Sequence, residues 1–281
     1  MGNSIKTFIL IMAMTFIMLL VGSAIGGRQG MIFAFVIALV TNFASYWFSD
    51  KIVLSMYRAI PLDTNHHVYR LTQTLATRAN LPMPKVYIIN EAQPNAFATG
   101  RNPANSAVAV TQGLLDMMDE NELSGVIGHE LGHIHNRDIL IQSMVAVMAS
   151  AITFMSTMAR WGAISGNNRR RNRNSGIILL FAAILAPVGA TLVRMAISRT
   201  REFKADSFGA KVSRNPQFLS SALGKLESGS RRIAMSANPA TENMFIINPL
   251  SGDTISKLFS THPSTQDRIN ELSKMSYTDN Y

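Results

Sequence analysis

One stretch of the chain has residue types and spacing suited to metal-dependent hydrolysis: His129-Glu130-Leu131-Gly132-His133. Residues four apart lie on one face of an α-helix, so both imidazoles can reach a single metal ion. Glu130 is rotated by about 100° around the helix axis, which places its carboxylate beside the ion, where it can accept a proton from water. The pattern therefore predicts a hydrolytic zinc site, rather than two histidines that face only solvent or a partner helix.

A catalytic zinc ion usually has three protein ligands and one open position. The chain contains no cysteine, which leaves His, Asp or Glu as the third ligand. Glu202 is the best candidate, because Glu202 and Asp206 stand four apart on one predicted helix face just after an apolar run. Glu202 can then bind the metal while Asp206 accepts the second ring N–H of a ligand histidine. The alternative is that this stretch is only the charged, solvated end of a membrane helix.

Other residues of the predicted metal helix also bear on the site. Gly125, Gly128 and Gly132 each cost about 1 kcal/mol in a helix relative to alanine, so three together indicate that another backbone packs closely. His135 follows His133 by two positions and lies on nearly the opposite helix face. We therefore do not expect His135 to be a ligand.

Four apolar runs must position these residues relative to a membrane. Residues 8–24 and 31–48 are each close to the ~20 residues of a bilayer-crossing helix, and the short Gly-rich turn between them predicts a helical hairpin. A cleaved signal peptide is the alternative for the first run. Residues 139–158 and 177–197 contain polar side chains, which are expected to face protein or a water-filled cavity. These two runs predict spanning or partly inserted helices, or a buried helical hairpin.

Composition agrees with a membrane protein. Charged residues make up 15% of the chain, against about 25% in an average globular protein. The net charge is +9, and the densest basic run, residues 169–173, lies between two apolar runs. This placement is typical of an anionic lipid surface, whereas nucleic-acid binding favours basic residues interleaved with aromatics on a folded surface. We expect the lipid bilayer as a partner and no nucleic acid.

The basic residues near the span ends also predict an orientation. With an even number of spans, the amino terminus, residues 49–138 and the tail after residue 198 lie on one side of the membrane. Their flanking Lys and Arg residues favour the cytoplasm for that side. Residues 169–173 would then lie outside, a conflict that is reduced if the third and fourth runs do not cross fully.

The parts between the spans predict a mainly α fold with a small β-sheet. Helical periodicity covers residues 68–79, and strands are expected at 86–89, 96–99 and 107–111, with a turn at 100–105. The metal helix should begin at an Asp119 or Asn121 cap and run through Arg137 straight into the third apolar run. After residue 199 the pattern is mostly helical, with loops around 228–232 and 248–252.

Four motifs together resemble the HtpX heat-shock membrane metallopeptidases, bacterial relatives of the CAAX prenyl proteases. They are the following: His129–His133, Glu202 to Asp206, Asn95-Ala96-Phe97-Ala98, and Thr261-His262-Pro263 with Arg268. The resemblance implies a gluzincin-type metallopeptidase domain joined to about four transmembrane helices, with one zinc ion held by His129, His133 and Glu202. It implies Glu130 as the catalytic base. It also implies a multi-pass protein of the bacterial inner membrane whose active site faces the cytoplasm.

The resemblance further implies a role in quality control and the stress response. The substrates would be misfolded or damaged membrane proteins and unfolded polypeptides, and self-cleavage is known in the family. The chain divides accordingly into a transmembrane hairpin (1–49), the first part of the metallopeptidase domain with the zinc helix (50–138), a second pair of membrane-inserted helices (139–197) and the C-terminal part of the metallopeptidase domain (198–281). Residues 169–173 fit a fully spanning topology poorly.

Substrate binding suggests further candidate residues. We predict that residues 95–99, with Asn95 and Phe97, form an edge strand that pairs with extended substrate through its main chain, with little side-chain selectivity. His262 and Arg268 either steady the oxyanion or the zinc shell, or simply start a helix after His-Pro. A narrow processing peptidase and a non-catalytic zinc carrier are the alternative functions. Glu130 argues against the carrier, because metal binding alone needs no base there, and the oligomeric state stays open.

Overall fold

The computed structural model describes residues 3–150, 198–233, 239–247 and 263–275. These residues form a mainly helical protein with one four-stranded sheet, which confirms the predicted mixture of elements. Several predicted features lie outside the described residues: the third apolar run beyond residue 150, the whole fourth run (177–197), the basic run 169–173, the loop at 248–252 and His262.

The first helical segment, α1 (Asn3–Met56), reverses direction near Gly27. Gly27 has a φ of 56°, in the left-handed region that favours glycine. Beyond it, Asn42 Nδ2 donates to Thr15 Oγ1 at 3.0 Å, whereas a straight helix would hold these residues about 40 Å apart. A Cβ on Gly22 would lie 2.4 Å from the carbonyl oxygen of Gly30. The chain reversal predicted from the Gly-rich turn is therefore confirmed.

Among the described residues, Gly27–Met56 is the helix that is long and apolar enough to cross a membrane, at 30 residues. Only 17% of an apolar 18-residue stretch of this helix is buried within the protein. Phe33, Val40 and Phe43 are exposed on its surface. Thr7–Leu20 and Ile139–Ser150 are shorter apolar helices. Length and composition thus indicate one membrane span here, and four crossings stay a prediction.

The sheet has the strand order β1-β2-β4-β3. Strand β1 (Ile60–Pro61) runs antiparallel to β2 (Lys85–Ile89), and β2 runs parallel to β4 (Asn105–Thr111). Strand β3 (Ala96–Asn102) runs antiparallel to β4 and lies at the edge of the sheet. The three predicted strands are confirmed, and the short β1 was not predicted.

The turn between β3 and β4 is shorter than the predicted residues 100–105. The strands continue to Asn102 and from Asn105, so only two residues connect them. The backbone N–H of Asn105 donates to Asn102 Oδ1 at 2.9 Å and closes this tight turn. The wider turn expected from Gly100 was therefore wrong, because the asparagine side chain supplies the turn hydrogen bond.

The two faces of the sheet pack against different partners. Val86 and Val108 belong to the larger apolar cluster, which includes side chains of α2 (His67–Arg78), α3 (Gln112–Met117) and α4 (Glu120–His135). Phe97 and Ala109 belong to a second cluster with Val53 near the end of α1. The sheet thus links the apolar helix to the helices that carry the site.

Helix α4 begins with a capping box: Asp119 accepts the N–H of Glu122, and Glu122 accepts the N–H of Asp119. This assigns the cap to Asp119 rather than Asn121. The helix ends at His135, because Arg137 has a φ of 58° and turns the chain. The prediction that α4 runs through Arg137 straight into the next apolar run was wrong, since this turn separates it from α5 (Ile139–Ser150).

Helix α5 is largely buried where the structure describes it. Met144 and Val145 pack with Met14 of α1. The Ser143 and Thr99 hydroxyls share a hydrogen bond of 2.8 Å, so this polar residue of the third apolar run faces protein, as expected. The described part of α5 thereby lies between α1 and the sheet.

Three further helices complete the described chain: α6 (Arg199–Ser213), α7 (Pro216–Arg232) and α8 (Thr265–Ser273), with a 3-10 turn at Pro239–Met244. The loop predicted at 228–232 was wrong, because α7 remains helical through Arg232. The close backbone approach predicted from the α4 glycines is confirmed. Each α4 glycine faces a backbone of α6 or α7, in the pairs Gly125 with Leu219, Gly128 with Gly209, and Gly132 with Ala205.

Candidate active site

His129 and His133 on α4 and Glu202 on α6 bring one ligand atom each to within 4.8 Å of one another. The two Nε2 atoms lie 3.1 Å apart. Glu202 Oε1 is 3.6 Å from His133 Nε2, and Oε2 is 3.8 Å from His129 Nε2. Two imidazole nitrogens and a carboxylate oxygen form a donor set suited to zinc. At this distance the two nitrogens can share a proton, and a bound cation would take the place of that proton.

Asp206 and Arg268 lie behind His129. Asp206 Oδ1 is 2.8 Å from His129 Nδ1, so the ring N–H donates to this carboxylate and Nε2 keeps its lone pair. Arg268, on α8, donates to both Asp206 oxygens at 2.8 and 2.6 Å. The sequence singled out Asp206 and Arg268 separately, and the fold makes them one buried network.

Asp138 lies behind His133. Its Oδ2 atom is 3.4 Å from His133 Nδ1, and the side chain is 2% exposed. Asp138 was not among the residues predicted for the site, although an aspartate shortly after the metal helix is a visible signal in the sequence. Its position depends on the turn at Arg137, which the predicted unbroken helix excluded.

Glu130 is buried beside the three ligand atoms. Among the described residues, neither of its carboxylate oxygens has a hydrogen-bond partner. Burial first, and then the charge of Glu202, raise the pKa of Glu130, while His133, the backbone of Ala98 and Arg268 lower it; the net pKa is about 7. A buried carboxylate of this pKa can take and release a proton near neutral pH.

The two histidines differ in pKa. Burial lowers the pKa of His129 to about 4. Burial also disfavours the charged form of His133, but its hydrogen bond to Asp138 and the charges of Glu202 and Glu130 outweigh this and raise the pKa to about 9. Metals bind neutral imidazole, so metal binding must release the His133 proton.

The outer edge of β3 faces the site. The N–H of Thr111 donates to the carbonyl of Asn95 at 3.0 Å, and hydrogen bonding alternates along an antiparallel pair. The backbone groups of Ala96 and Ala98 therefore point away from β4. The carbonyl of Ala96 accepts the N–H of Ile246 at 3.2 Å. The chain's own residues 244–247 thus lie on part of this edge.

The remaining predicted residues have distinct positions. Asn95 is buried and its Nδ2 donates to the carbonyl of Ile247 at 3.0 Å. Phe97 packs against Phe245 with ring centroids 5.4 Å apart, on the side of the sheet that contacts α1. His135 stacks on Phe208 at 4.6 Å and does not contribute to the described cluster.

Known proteins match this chain over nearly its whole length. Peptidase family M48 matches residues 63–276, which include every residue of the site. The Protease HtpX homolog of Desulforapulum autotrophicum is 52% identical over 277 residues, covering 97% of this chain and 90% of that protein. The Protease HtpX of Legionella pneumophila (strain Corby) is 46% identical over 281 residues, covering 98% of this chain and 100% of that protein.

A solved structure shares the fold. The crystal structure of Ste24p from S. mikatae superimposes with a TM-score of 0.51 and covers 95% of this chain and 67% of that chain. The sequence identity is 17%. At this identity the likeness concerns the fold alone.

Proposed function

Because the chain belongs to peptidase family M48 and is a metallopeptidase of the HtpX type, we propose that it is a zinc-dependent membrane endopeptidase that cleaves misfolded or damaged membrane proteins. One observation carries this proposal: His129, His133 and Glu202 converge next to the buried carboxylate of Glu130. Names of close relatives support proteolysis, and the apolar helix Gly27–Met56 supports a membrane setting. Quality control and the stress response belong to the proposal.

The metal ligands in this proposal are His129, His133 and Glu202, with one zinc ion per chain. The donor set fits, because both Nε2 atoms and one Glu202 oxygen face a common point. Zinc bound there would act as a Lewis acid on water and on the scissile carbonyl. Asp206 orients His129 through the 2.8 Å contact to Nδ1, and Arg268 holds Asp206 in place.

Glu130 acts as the general base. Its carboxylate accepts a proton from the attacking water and passes it to the leaving amine nitrogen. Two features support this role: the pKa of about 7, caused first by burial, and the position of Glu130 one residue after His129 on α4.

Substrate binds in extended form along the outer edge of β3. Ala96 and Ala98 direct their backbone groups to this edge, and Ala98 lies next to Glu130. The N–H of Ala96 donates to Asn95 Oδ1 at 3.1 Å. Ile246 bonds to the carbonyl of Ala96, so residues 244–247 must move for full pairing. Asn95 would orient the substrate main chain. Phe97 contributes little selectivity, because its side chain packs on the other side of the sheet.

The cellular setting is also part of the proposal. The protein would be a multi-pass protein of the bacterial inner membrane, with its active site facing the cytoplasm. Residues 1–49 and 139–197 would supply the membrane helices, and residues 50–138 and 198–281 the two parts of the metallopeptidase domain. Basic residues near the span ends support this orientation. His262 would steady the oxyanion or the zinc shell.

The test uses the full chain in detergent with casein as substrate. Cleavage should stop with a chelator and return with added zinc. Glu130→Gln should retain one zinc per chain but lose cleavage by ~10²–10⁴-fold, and Glu202→Ala should lose zinc. His135→Ala, on the same helix but outside the cluster, is the matched control and should behave as wild type. Wild-type cleavage by Glu130→Gln would contradict the proposed base. Substrates trapped by that variant in membranes would separate broad from narrow selectivity.

A further inference from the structure

The two site histidines have matching surroundings on their Nδ1 sides. Asp206 contacts Nδ1 of His129, and Arg268 contacts Asp206. In the same way Asp138 contacts Nδ1 of His133, and Arg201 lies next to Asp138. In that second series His133 Nδ1 lies 3.4 Å from Asp138 Oδ2, and Arg201 Nε lies 3.8 Å from Asp138 Oδ1. Each imidazole therefore has a buried carboxylate behind it and a guanidinium behind the carboxylate.

The fold brings the second series together from two separate elements. Arg137, with a φ of 58°, ends α4 and turns the chain so that the N–H of Asp138 donates to the carbonyl of His133 at 2.9 Å. This bond holds Asp138 close to the His133 ring, whose Nδ1 contacts the Asp138 carboxylate. Arg201 comes from the first turn of α6, one residue before Glu202. The α4–α5 turn and the start of α6 thus meet beside the metal ligands.

Arg201 is unusual among the described residues because it is buried with few polar contacts. Its side chain is 9% exposed, and its three guanidinium nitrogens make no hydrogen bond within the described ranges. Burying a guanidinium is costly unless a negative charge lies close. The carboxylate of Asp138, 3.8 Å from Arg201 Nε, is the larger of two such charges, and Glu202 is the other.

We propose that Asp138 is a positioning residue for His133 and that Arg201 acts through Asp138. Asp138 accepts the Nδ1–H of His133, which leaves the Nε2 lone pair directed at the metal and fixes the ring. Arg201 holds the Asp138 carboxylate in the orientation that accepts this proton. The inference rests on the proposed metal site. Asp138 would orient His133 as Asp206 orients His129.

The readout is zinc affinity of the full chain in detergent, measured by competition with a chelator. Partners of this kind typically contribute 10- to 100-fold in metal affinity. We expect a reduction of this size for Asp138→Ala and a reduction of about tenfold for Asp138→Asn, which keeps an acceptor oxygen but loses the charge. Asp116→Ala removes an exposed carboxylate on α3 and is the matched control, with wild-type affinity expected.

A double-mutant cycle tests the part played by Arg201. Arg201→Met should weaken zinc binding on its own but should have no further effect in the Asp138→Ala background. A further loss in that background would overturn the assignment, because Arg201 would then act through Glu202 or another group. If Asp138→Ala does not fold, the same cycle can be built on Asp138→Asn.

Thermal unfolding of the zinc-free protein distinguishes positioning from a purely structural role. Lower stability of either Asp138 variant with unchanged zinc affinity would overturn the proposal. Reduced zinc affinity in a protein that unfolds at the wild-type temperature would support it. Failure of the wild-type chain to bind zinc would instead contradict the proposed function, so the two failures can be told apart.

Discussion

Gly132 on α4 lies directly against Ala205 on α6: a Cβ on Gly132 would be 2.9 Å from the Cα of Ala205. Gly128 faces Gly209 in the same way, with a Cβ position 3.0 Å from the Gly209 carbonyl oxygen. Helix α4 carries the two histidines, and α6 carries Glu202. Because the backbones touch at these glycines, they determine the distance between the two halves of the site.

Gly132→Ala should therefore separate α4 from α6 and weaken zinc binding. The added methyl group meets backbone and cannot be accommodated by a rotamer change, so α6 must shift with Glu202. We expect a loss of about 1–3 kcal/mol in stability, as for other overpacked sites, together with reduced zinc affinity. Chelator competition and thermal unfolding measure the two effects.

Gly224→Ala is the matched control for this prediction. Among the residues that the structure describes, none lies within 4 Å of a Cβ built on Gly224 in α7. Alanine there should leave zinc affinity unchanged and stabilise the helix by up to about 1 kcal/mol. Equal zinc affinity in Gly132→Ala and Gly224→Ala would show that the contact between Gly132 and Ala205 does not determine the geometry of the metal site.

Arg268→Met should damage the site through Asp206. Arg268 donates to Asp206 at 2.8 and 2.6 Å and to the carbonyl of Ile246 at 2.8 Å. Removing one partner of a buried ion pair leaves the other charge without compensation and costs about 3–5 kcal/mol. We expect a lower unfolding temperature and weaker zinc binding. Lys274→Met, which breaks an exposed ion pair with Glu271 at the C-terminal end of α8, should change neither quantity.

Stability should depend on pH through Glu122. Burial opposes the charge of this carboxylate, but hydrogen bonds from Lys225 at 2.7 Å and Ser221 at 2.6 Å lower its pKa below the ordinary 4.5. A lowered folded-state pKa contributes stability that is present above the unfolded-state pKa and is lost as pH falls through the folded-state pKa. Glu122→Gln should therefore lower the unfolding temperature at pH 7.

The difference between Glu122→Gln and wild type should shrink as the pH falls below 4.5. Thermal unfolding of both proteins across the acid range measures this. Glu120→Gln, an exposed residue of the same helical turn, serves as control. A constant difference at all pH values would mean that the Glu122 charge does not contribute.

Pairing of substrate with β3 predicts an alternating response to backbone modification. A peptide that serves as a substrate can be N-methylated at one position at a time. Each methylation removes a single backbone N–H without altering the side chain. Strand addition uses the backbone groups of every second residue on one edge. We expect kcat/KM to fall at alternate positions. Equal sensitivity at neighbouring positions would argue against strand pairing.

Ile246→Pro should favour substrate binding, because it removes the N–H that bonds to the carbonyl of Ala96. A hydrogen bond of this kind is worth ~1 kcal/mol, so KM should fall by about fivefold with little change in kcat. Ile246→Val keeps the N–H and should resemble wild type. An unchanged KM in Ile246→Pro would mean that residues 244–247 do not compete with substrate.

Much of the local structure followed from sequence patterns. The spacing of His129 and His133 predicted one helix face, and the structure places both Nε2 atoms 3.1 Å apart. The α4 glycines predicted close backbone packing, and the sequence limited the N-cap of α4 to Asp119 or Asn121. Errors came where a side chain or a left-handed residue overrode the pattern, as at Asn102 in the β3–β4 turn and at Arg137 after α4.

The sequence by itself determined the identity and spacing of the α4 groups, because helical geometry within a few residues depends only on local periodicity. The apolar runs likewise determined where a lipid-facing helix can form. Only the tertiary structure decided which of the two histidines Asp206 contacts and that Asp138 and Arg268 join the site. Arg268 reaches Asp206 across 62 positions of sequence, and Asn95 reaches Ile247 across 152. Such contacts depend on how helices and the sheet edge pack, which no local period encodes.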